Sequence, residues 1–419
     1  MPPIRPNARG SGCVTLDSPR QLPPSLPAED LAALRSIRRR KDLARDRLFL
    51  DRQAQIDAVT TALAYGRPEH PASRPDRRFL RAVSWNIERG RRLDGVIGLL
   101  SNDRTLREAD VVLLNEVDVG MARSDNRDVA RDVAEALGFE WVFGNSYLCL
   151  SHGDVRDGVV RPEDNRESLH GNAILARWPI RRAENFTVEI TRDKFESSDK
   201  RLGHKKALWA EVVTPLGEIA VAAVHLDPYA SPAQRRSQMA DAMSILDGHR
   251  LQRVLLGGDL NTTTYDLSSL PRLLWNVAAK LSRGGFPHAI DHYLRPHALY
   301  ERAVFDELAA HGFEIEPFND MKTGSVRYEV GSFDSESKVR EHLPGVVAHL
   351  LRYKLAPWGG VAPLKIDWFA GRGLRVMRAG EVIEPSGRGS ADPAILERAR
   401  WRDGSISDHD PIRVDFVTA

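Results

Sequence analysis

The chain of 419 residues is 42% hydrophobic, enough for a sizeable core in one large α/β domain or in two ordinary ones. Its 60 Lys and Arg against 58 Asp and Glu leave a formal net charge of +2, so no global field draws it to nucleic acid or anionic membrane, and any basic surface must be local. Two cysteines, Cys13 and Cys149, argue against a disulfide framework, and no signal-like segment or run of about 18 apolar residues occurs, which predicts a cytoplasmic protein with no transmembrane span.

In chain order, residues 1–79 read as an N-terminal extension. Met1 to Leu26 is punctuated by Pro and Gly and predicts a flexible arm. From Ala28 to Ala64, Leu31, Leu34, Leu43, Leu48, Ile56, Val59 and Leu63 fall at helical spacing, predicting one long helix or two shorter ones, with Ser25 as cap and Pro27 in the first turn. The Arg38-Arg39-Arg40-Lys41 cluster reads as a solvated helix face. Residues 66–78 form a linker into a domain spanning 80–419.

That domain opens with a strand, Arg81-Ala82-Val83-Ser84-Trp85-Asn86-Ile87-Glu88, which ends in an amide and a carboxylate two residues apart. Helical spacing over 93–106 and 126–137, the second stretch stopped by Gly138, brackets another apolar strand, Val111 to Leu114, that runs into Asn115 and Glu116. This alternation predicts an α/β fold with a buried sheet. Ser146 to His170 is a polar loop carrying Arg156, Arg161 and Arg166; Lys194, Lys200, Arg201, Lys205 and Lys206 make a second basic stretch. Each serves either substrate phosphates or plain solvation. Val221 to Leu226 delivers His225. Val254-Leu255-Leu256-Gly257-Gly258-Asp259-Leu260-Asn261 is a buried strand whose glycines turn the backbone just before an Asp and an Asn two apart. An insertion within about 265–360 follows. It contains an apolar helical stretch, Leu270 to Leu281, with Trp275, a helix from Tyr300 to His311, and the apolar runs Val346 to Leu351 and Leu355 to Trp358. It is either subdomain core or a substrate-facing cap. Leu364-Lys365-Ile366-Asp367-Trp368 and Ile406-Ser407-Asp408-His409-Asp410-Pro411 then add two carboxylates and an imidazole before the closing strand from Ile412.

Ser84-Trp85-Asn86-Ile87-Glu88, Leu114-Asn115-Glu116, Gly171-Asn172-Ala173-Ile174-Leu175, Val224-His225-Leu226, Gly258-Asp259-Leu260-Asn261, Ile366-Asp367-Trp368 and Ser407-Asp408-His409-Asp410-Pro411, in this order, resemble the endonuclease/exonuclease/phosphatase superfamily. The resemblance covers about residues 80 to 418. It implies a four-layered sandwich of two packed β-sheets flanked by helices, and a phosphoester hydrolase. Such hydrolysis needs a positioned water and neutralised phosphoryl charge, and hard oxygen ligands suit magnesium or manganese. By resemblance, Glu116 is the principal metal ligand, with Glu88 and Asp408 beside it, although Glu88 stands where several relatives carry Asp or an uncharged residue. Asp259 activates the water; Asn86 and Asn261 hold water, phosphate or metal-bound oxygen; His409 contacts the scissile phosphate, with Asp367 fixing its second nitrogen; His225 is a second donor. Asn172, Arg166 and Lys206 are candidate substrate contacts. The basic loops favour a nuclease or nucleic-acid phosphodiesterase; the alternative is a phosphodiesterase or phosphatase of lipid head groups or small molecules.

Overall fold

The computed structural model describes residues 12–75, 78–153, 164–191, 193–266, 269–329, 353, 356–358, 361–381, 390–402 and 404–419. Apolar residues of even and odd parity along the same strands feed different cores. In the strand Val111–Val119, Val112 and Leu114 join a cluster with the helices Leu93–Asn102 and Val129–Leu137, whereas Val111 and Leu113 point the other way. There they meet Leu208, Ala210, Val221, Leu255 and Phe369 of a second sheet. The outer face of that sheet, through Trp209, Ala222 and Leu256, packs on the helices Pro232–Gly248 and Arg302–Ala310. Helices, sheet, sheet and helices make the four layers that the resemblance implied.

One sheet runs in the order Val14–Thr15, Ile180–Thr187, Lys206–Thr214, Gly217–His225, Val254–Asp259, Asp367–Arg372, with only Gly217–His225 and Val254–Asp259 parallel. The other runs Leu374–Val376, Ile412–Thr418, Leu80–Arg89, Val111–Val119, Leu169–Ala176, Glu140–Cys149, Leu63–Gly66, parallel only between Leu80–Arg89 and Val111–Val119. The two parallel pairs place the ends of four strands at one rim. Gly258 there has φ +146° and approaches so closely that a Cβ would lie 1.9 Å from Val224 O, so no side chain fits where the chain delivers Asp259.

The N-terminal segment departs from the flexible arm over its described residues. Val14 and Thr15 pair with Ala183 and Arg182, Arg20 bridges Tyr65, and Leu16 and Leu26 are buried. Residues 28–60 form three helices, Ala28–Ser36, Arg40–Leu43 and Arg47–Thr60, the first with Pro27 rather than Ser25 at its N-cap. Leu63, expected on the helix, begins an edge strand instead. The helix Val129–Leu137 ends as expected on Gly138, at φ 68°. In the 265–360 region the helices Leu270–Ser282, Gly285–Leu294 and Arg302–Ala310 precede a hairpin of Val326–Glu329 with Val361–Leu364. Val346 to Leu351 and Leu355 lie outside the described residues. Among the described residues no helix is long and apolar enough to cross a membrane.

Candidate active site

Register brings the polar strand ends together. His225 is the cross-strand partner of Asp259, and Asp259 of Asp367, so three strands present imidazole, carboxylate and carboxylate side by side. On the other sheet Asn86 is the partner of Asn115. Just past each of those residues the ladder shifts register, between Asn86 and Arg89 and between Leu114 and Val117, and Glu88 and Glu116 sit in the left-handed region at φ 47° and 54°. The bulges turn both carboxylates out of strand alternation toward the rim.

Asp259 is 2% exposed and held on every side. Asn86 Nδ2 donates to its Oδ2 at 3.1 Å, the Asn261 N–H donates to Oδ1 at 2.8 Å, and its own N–H donates to Asn115 Oδ1 at 2.9 Å. Asn115 Nδ2 in turn donates to Asn172 Oδ1, and Asn172 Nδ2 to Lys206 O, each at 2.9 Å. The Asp259 pKa is pushed up to about 7, by burial first; Asp367 adds to the rise, while His409, Lys205 and the Asn261 N–H oppose it. His409 Nε2 lies 3.7 Å and His225 Nε2 3.5 Å from Asp259 Oδ2.

His409 Nδ1 bonds Asp367 Oδ2 at 2.8 Å, and the Ser325 hydroxyl donates to that same oxygen at 2.6 Å. Burial opposes charge on His409, but Asp367, Asp259 and Asp408 outweigh it and hold its pKa well above the ordinary histidine value. His225 goes the opposite way: burial, then Lys205, push it well below, leaving a neutral ring. Asp259, Asp367 and His409 offer atoms within 4.8 Å of one another, close enough to hold an ion. His409 spans the two carboxylates, Nδ1 on Asp367 and Nε2 toward Asp259, so the three can also pass a proton. Glu88 has the carboxylates of Asp408 and Glu116 as charged neighbours. Burial and then Asp408 push Glu88 up to about 7, Glu116 adding to the rise against Arg91, which bonds Glu88 at 2.8 Å.

Several expected placements change. The strand ends at Asp259, so Asn261 does not share its face; at φ 48° its side-chain NH2 is spent on Leu226 O and its backbone orients Asp259. Asn172 is a buried strut beneath Asn115 rather than a substrate contact. Lys206 is 3% exposed with Nζ on Thr187 Oγ1 at 2.8 Å, and Asp57 is its charged neighbour, so it faces away from the site. Its neighbour Lys205 takes the other face, with Asp227, Glu116 and Asp259 about it and a pKa pushed down by burial to about 7. Arg166 is exposed, its backbone N–H bonded to Gly120 O and Asn126 Oδ1 beyond the cluster; Arg156 and Arg161 lie outside the described residues.

Sequence reasoning assigned no role to Asn115 or Ser325, left Lys205 undistinguished within a basic stretch, and gave no sign of a buried network behind Glu116. In that network Asp118 accepts from Arg123 Nε at 2.7 Å and bonds His170 Nδ1 at 2.7 Å, and Arg123 Nη1 reaches Asp199 at 3.1 Å. Arg201 also pairs with Asp199, and Arg89 spans the gap to Glu116 at 4.0 Å. Strand parity was the available signal for Lys205, and the adjacency of Asn115 to Glu116 for that residue; nothing local marked Ser325.

Two packed sheets that gather carboxylates, amides and imidazoles from several strand ends on one rim are an architecture of the α/β sandwich class. The model of the Endonuclease/Exonuclease/phosphatase family matches residues 83–409, and the chain belongs to that family, whose members are metal-dependent phosphoester hydrolases. No curated protein matches the chain. Among solved structures it is similar to an endonuclease/exonuclease/phosphatase from Beutenbergia cavernae (18% identity, 82% of this chain and 72% of that one, TM-score 0.47). It is similar also to truncated Caenorhabditis elegans TDP2 (15%, 81% and 98%, 0.41) and to the human Nocturnin catalytic domain with bound sulfate (13%, 83% and 100%, 0.40).

Proposed function

We propose that the protein is a divalent-metal-dependent phosphodiesterase acting on nucleic acid, with Asp259 as base and His409 as the cationic phosphate contact. The observation that carries the chemistry is the opposition of a carboxylate poised near neutrality and an imidazole held in its charged form, 3.7 Å apart, beside the Glu88, Glu116 and Asp408 carboxylates. A magnesium or manganese ion bound by Glu116, Glu88 and Asp408 would neutralise charge on the phosphoryl and leaving oxygens. Asp259, its two oxygens fixed by Asn86 and the Asn261 N–H, takes a proton from the attacking water. His409, oriented through Nδ1 by Asp367 and Ser325, presents Nε2–H to a phosphoryl oxygen. Lys205 adds positive charge on the side of Asp259 and Glu116, and neutral His225 can accept or relay a proton next to Asp259.

Nucleic acid is preferred because basic side chains stand near the rim, Lys205 beside Asp259 and Glu116 and Lys194 beside Asp227, where a polyanion can add to or replace their carboxylate neighbours. A lipid head group is the second reading, favoured by Leu274 and Trp275, 53% and 77% exposed on the helix Leu270–Ser282. Incubating the purified protein and magnesium or manganese with single- and double-stranded DNA, RNA, phosphoinositide vesicles and sphingomyelin vesicles separates the two. We expect cleavage of a nucleic acid and intact lipids; lipid turnover with every nucleic acid uncut would contradict the preference.

A further inference from the structure

A second group of cations lies beside the carboxylates without entering the chemistry above. A cleft of about 420 Å³ is lined by Arg91, Arg92, Arg127, Arg402 and Trp401, with Asp94 and Asp125 the carboxylates among its described residues. The protein is nearly neutral overall, so positive charge in this cleft comes from those arginines that no neighbouring carboxylate engages. Arg127 is engaged with Asp94 and Asp132, and Arg91 with Glu88. Arg92 and Arg402 are exposed at the mouth, Arg92 lying so close over Gly404 that a Cβ there would collide with its guanidinium. Trp401 packs on the helix Leu93–Asn102, where a Cβ at Gly98 would come within 2.5 Å of its indole, so the ring is fixed while part of it remains exposed.

The position of the cleft ties it to catalysis. Arg91 bonds Glu88 at 2.8 Å, and Ile406 in the cleft wall stands two residues before Asp408, roughly 7 Å along an extended chain. An anion seated there is therefore a close neighbour of a phosphate at the carboxylate cluster.

Resting on the reading of the rim as a nucleic-acid phosphodiesterase site, we infer that this cleft binds a phosphate of the same strand flanking the scissile one, with Arg92 and Arg402 as the phosphate contacts and the Trp401 ring beside the adjoining base. Planar guanidinium forks pair bidentately with phosphate oxygens, and a fixed aromatic ring beside a cationic groove suits a single strand, whose bases stack without sequence preference. A single phosphorylated head group would fill the carboxylate rim and leave the cleft unused.

The test is equilibrium binding of a fluorescein-labelled short oligothymidylate to the full chain in chelator, read by anisotropy across a salt series. Without metal no cleavage intervenes, so the outcome does not depend on catalysis; hydrolysis of bis(p-nitrophenyl) phosphate by the same preparation with magnesium or manganese checks the underlying reading separately. Replacing Arg92→Ala together with Arg402→Ala is expected to weaken binding about tenfold and to flatten the slope of log affinity against log salt by about 1.4, two single-strand phosphate contacts being lost. Arg92→Lys with Arg402→Lys, which keeps the charges, is expected to restore that slope. Arg47→Ala with Arg302→Ala removes the same charge at exposed positions outside the cleft and is expected to leave affinity within twofold. Failure of the wild type to bind, an equal loss in the Arg47 and Arg302 pair, or binding to phosphoinositide vesicles in place of the oligonucleotide would overturn the inference.

Discussion

At the scale of single residues, the difference between Lys205 and Lys206 shows how a side chain's face decides its role. They are adjacent, equally basic and indistinguishable by composition, yet one lies near Asp259 and Glu116 and the other is buried on Thr187. Lys206, the candidate taken from the sequence, lies on the opposite face from Lys205, because one residue of strand parity moves a side chain to the other face. The consequence is measurable in the pH profile. With the Asp259 carboxyl pushed up to about 7, turnover should rise as pH increases through that region, because only the deprotonated form accepts a proton from water. Lys205 favours the ionised carboxylate, so Lys205→Met should move this acid limb to higher pH, whereas Lys206→Met should leave it in place. A limb that moves with Lys206 and ignores Lys205 would show that the assignment of faces is wrong. That Asp259, Asp367, His225 and His409 meet was legible because each stands at or beside a strand end, where the neighbouring strand supplies the partner. Asn261 was only half legible, since its left-handed backbone is invisible in the sequence. Ser325, which bonds Asp367 from 42 positions earlier, is set by a tertiary contact alone.

At the scale of elements, the helix Leu270–Ser282 is fastened to the loop that follows Asn261. Lys280 Nζ donates to Thr264 O and, at 2.7 Å, to Thr264 Oγ1, and sits 3.6 Å from the Tyr265 ring centroid and 4.6 Å from that of Tyr300. Thr264 has φ 66° and its N–H donates to Glu301, which also pairs with buried Arg235. Removing the ammonium leaves the Thr264 carbonyl buried and unpaired, a loss of about 1–3 kcal/mol. Lys280→Ala should therefore accelerate amide hydrogen exchange across 270–282 while the exchange of Val254–Asp259 stays slow. Uniform acceleration through both segments would mean that Lys280 holds up the whole fold rather than this helix. Periodicity disclosed the helix itself, with nearly the right ends. It could not disclose the fastening, because a lysine on an apolar helix face reads as a solvated group until Tyr265, Tyr293 and Tyr300 from other segments enclose it.

At the scale of the whole molecule, alternating strand and helix patterns disclosed an α/β fold with a buried sheet, and the four layers came only from the resemblance carried by the ordered strand-end motifs. The N-terminal segment was not. Its prolines suggest a free arm, but Leu16 and Leu26 find burial only after the sandwich exists to receive them, and Leu63–Gly66 becomes a strand because the edge Glu140–Cys149 offers it a partner. The same assembly makes a site from segments spread between Asn86 and His409. The account rests on metal-assisted hydrolysis with Asp259 as the base, and steady-state hydrolysis of bis(p-nitrophenyl) phosphate by chelator-treated protein, titrated with magnesium or manganese, tests it most directly. The wild type should be inactive in chelator and recover with added metal, and Asp259→Asn, folded and given the same metal, should turn over at least about a hundredfold more slowly. Full turnover without metal, or a near-normal rate in folded Asp259→Asn, would contradict it.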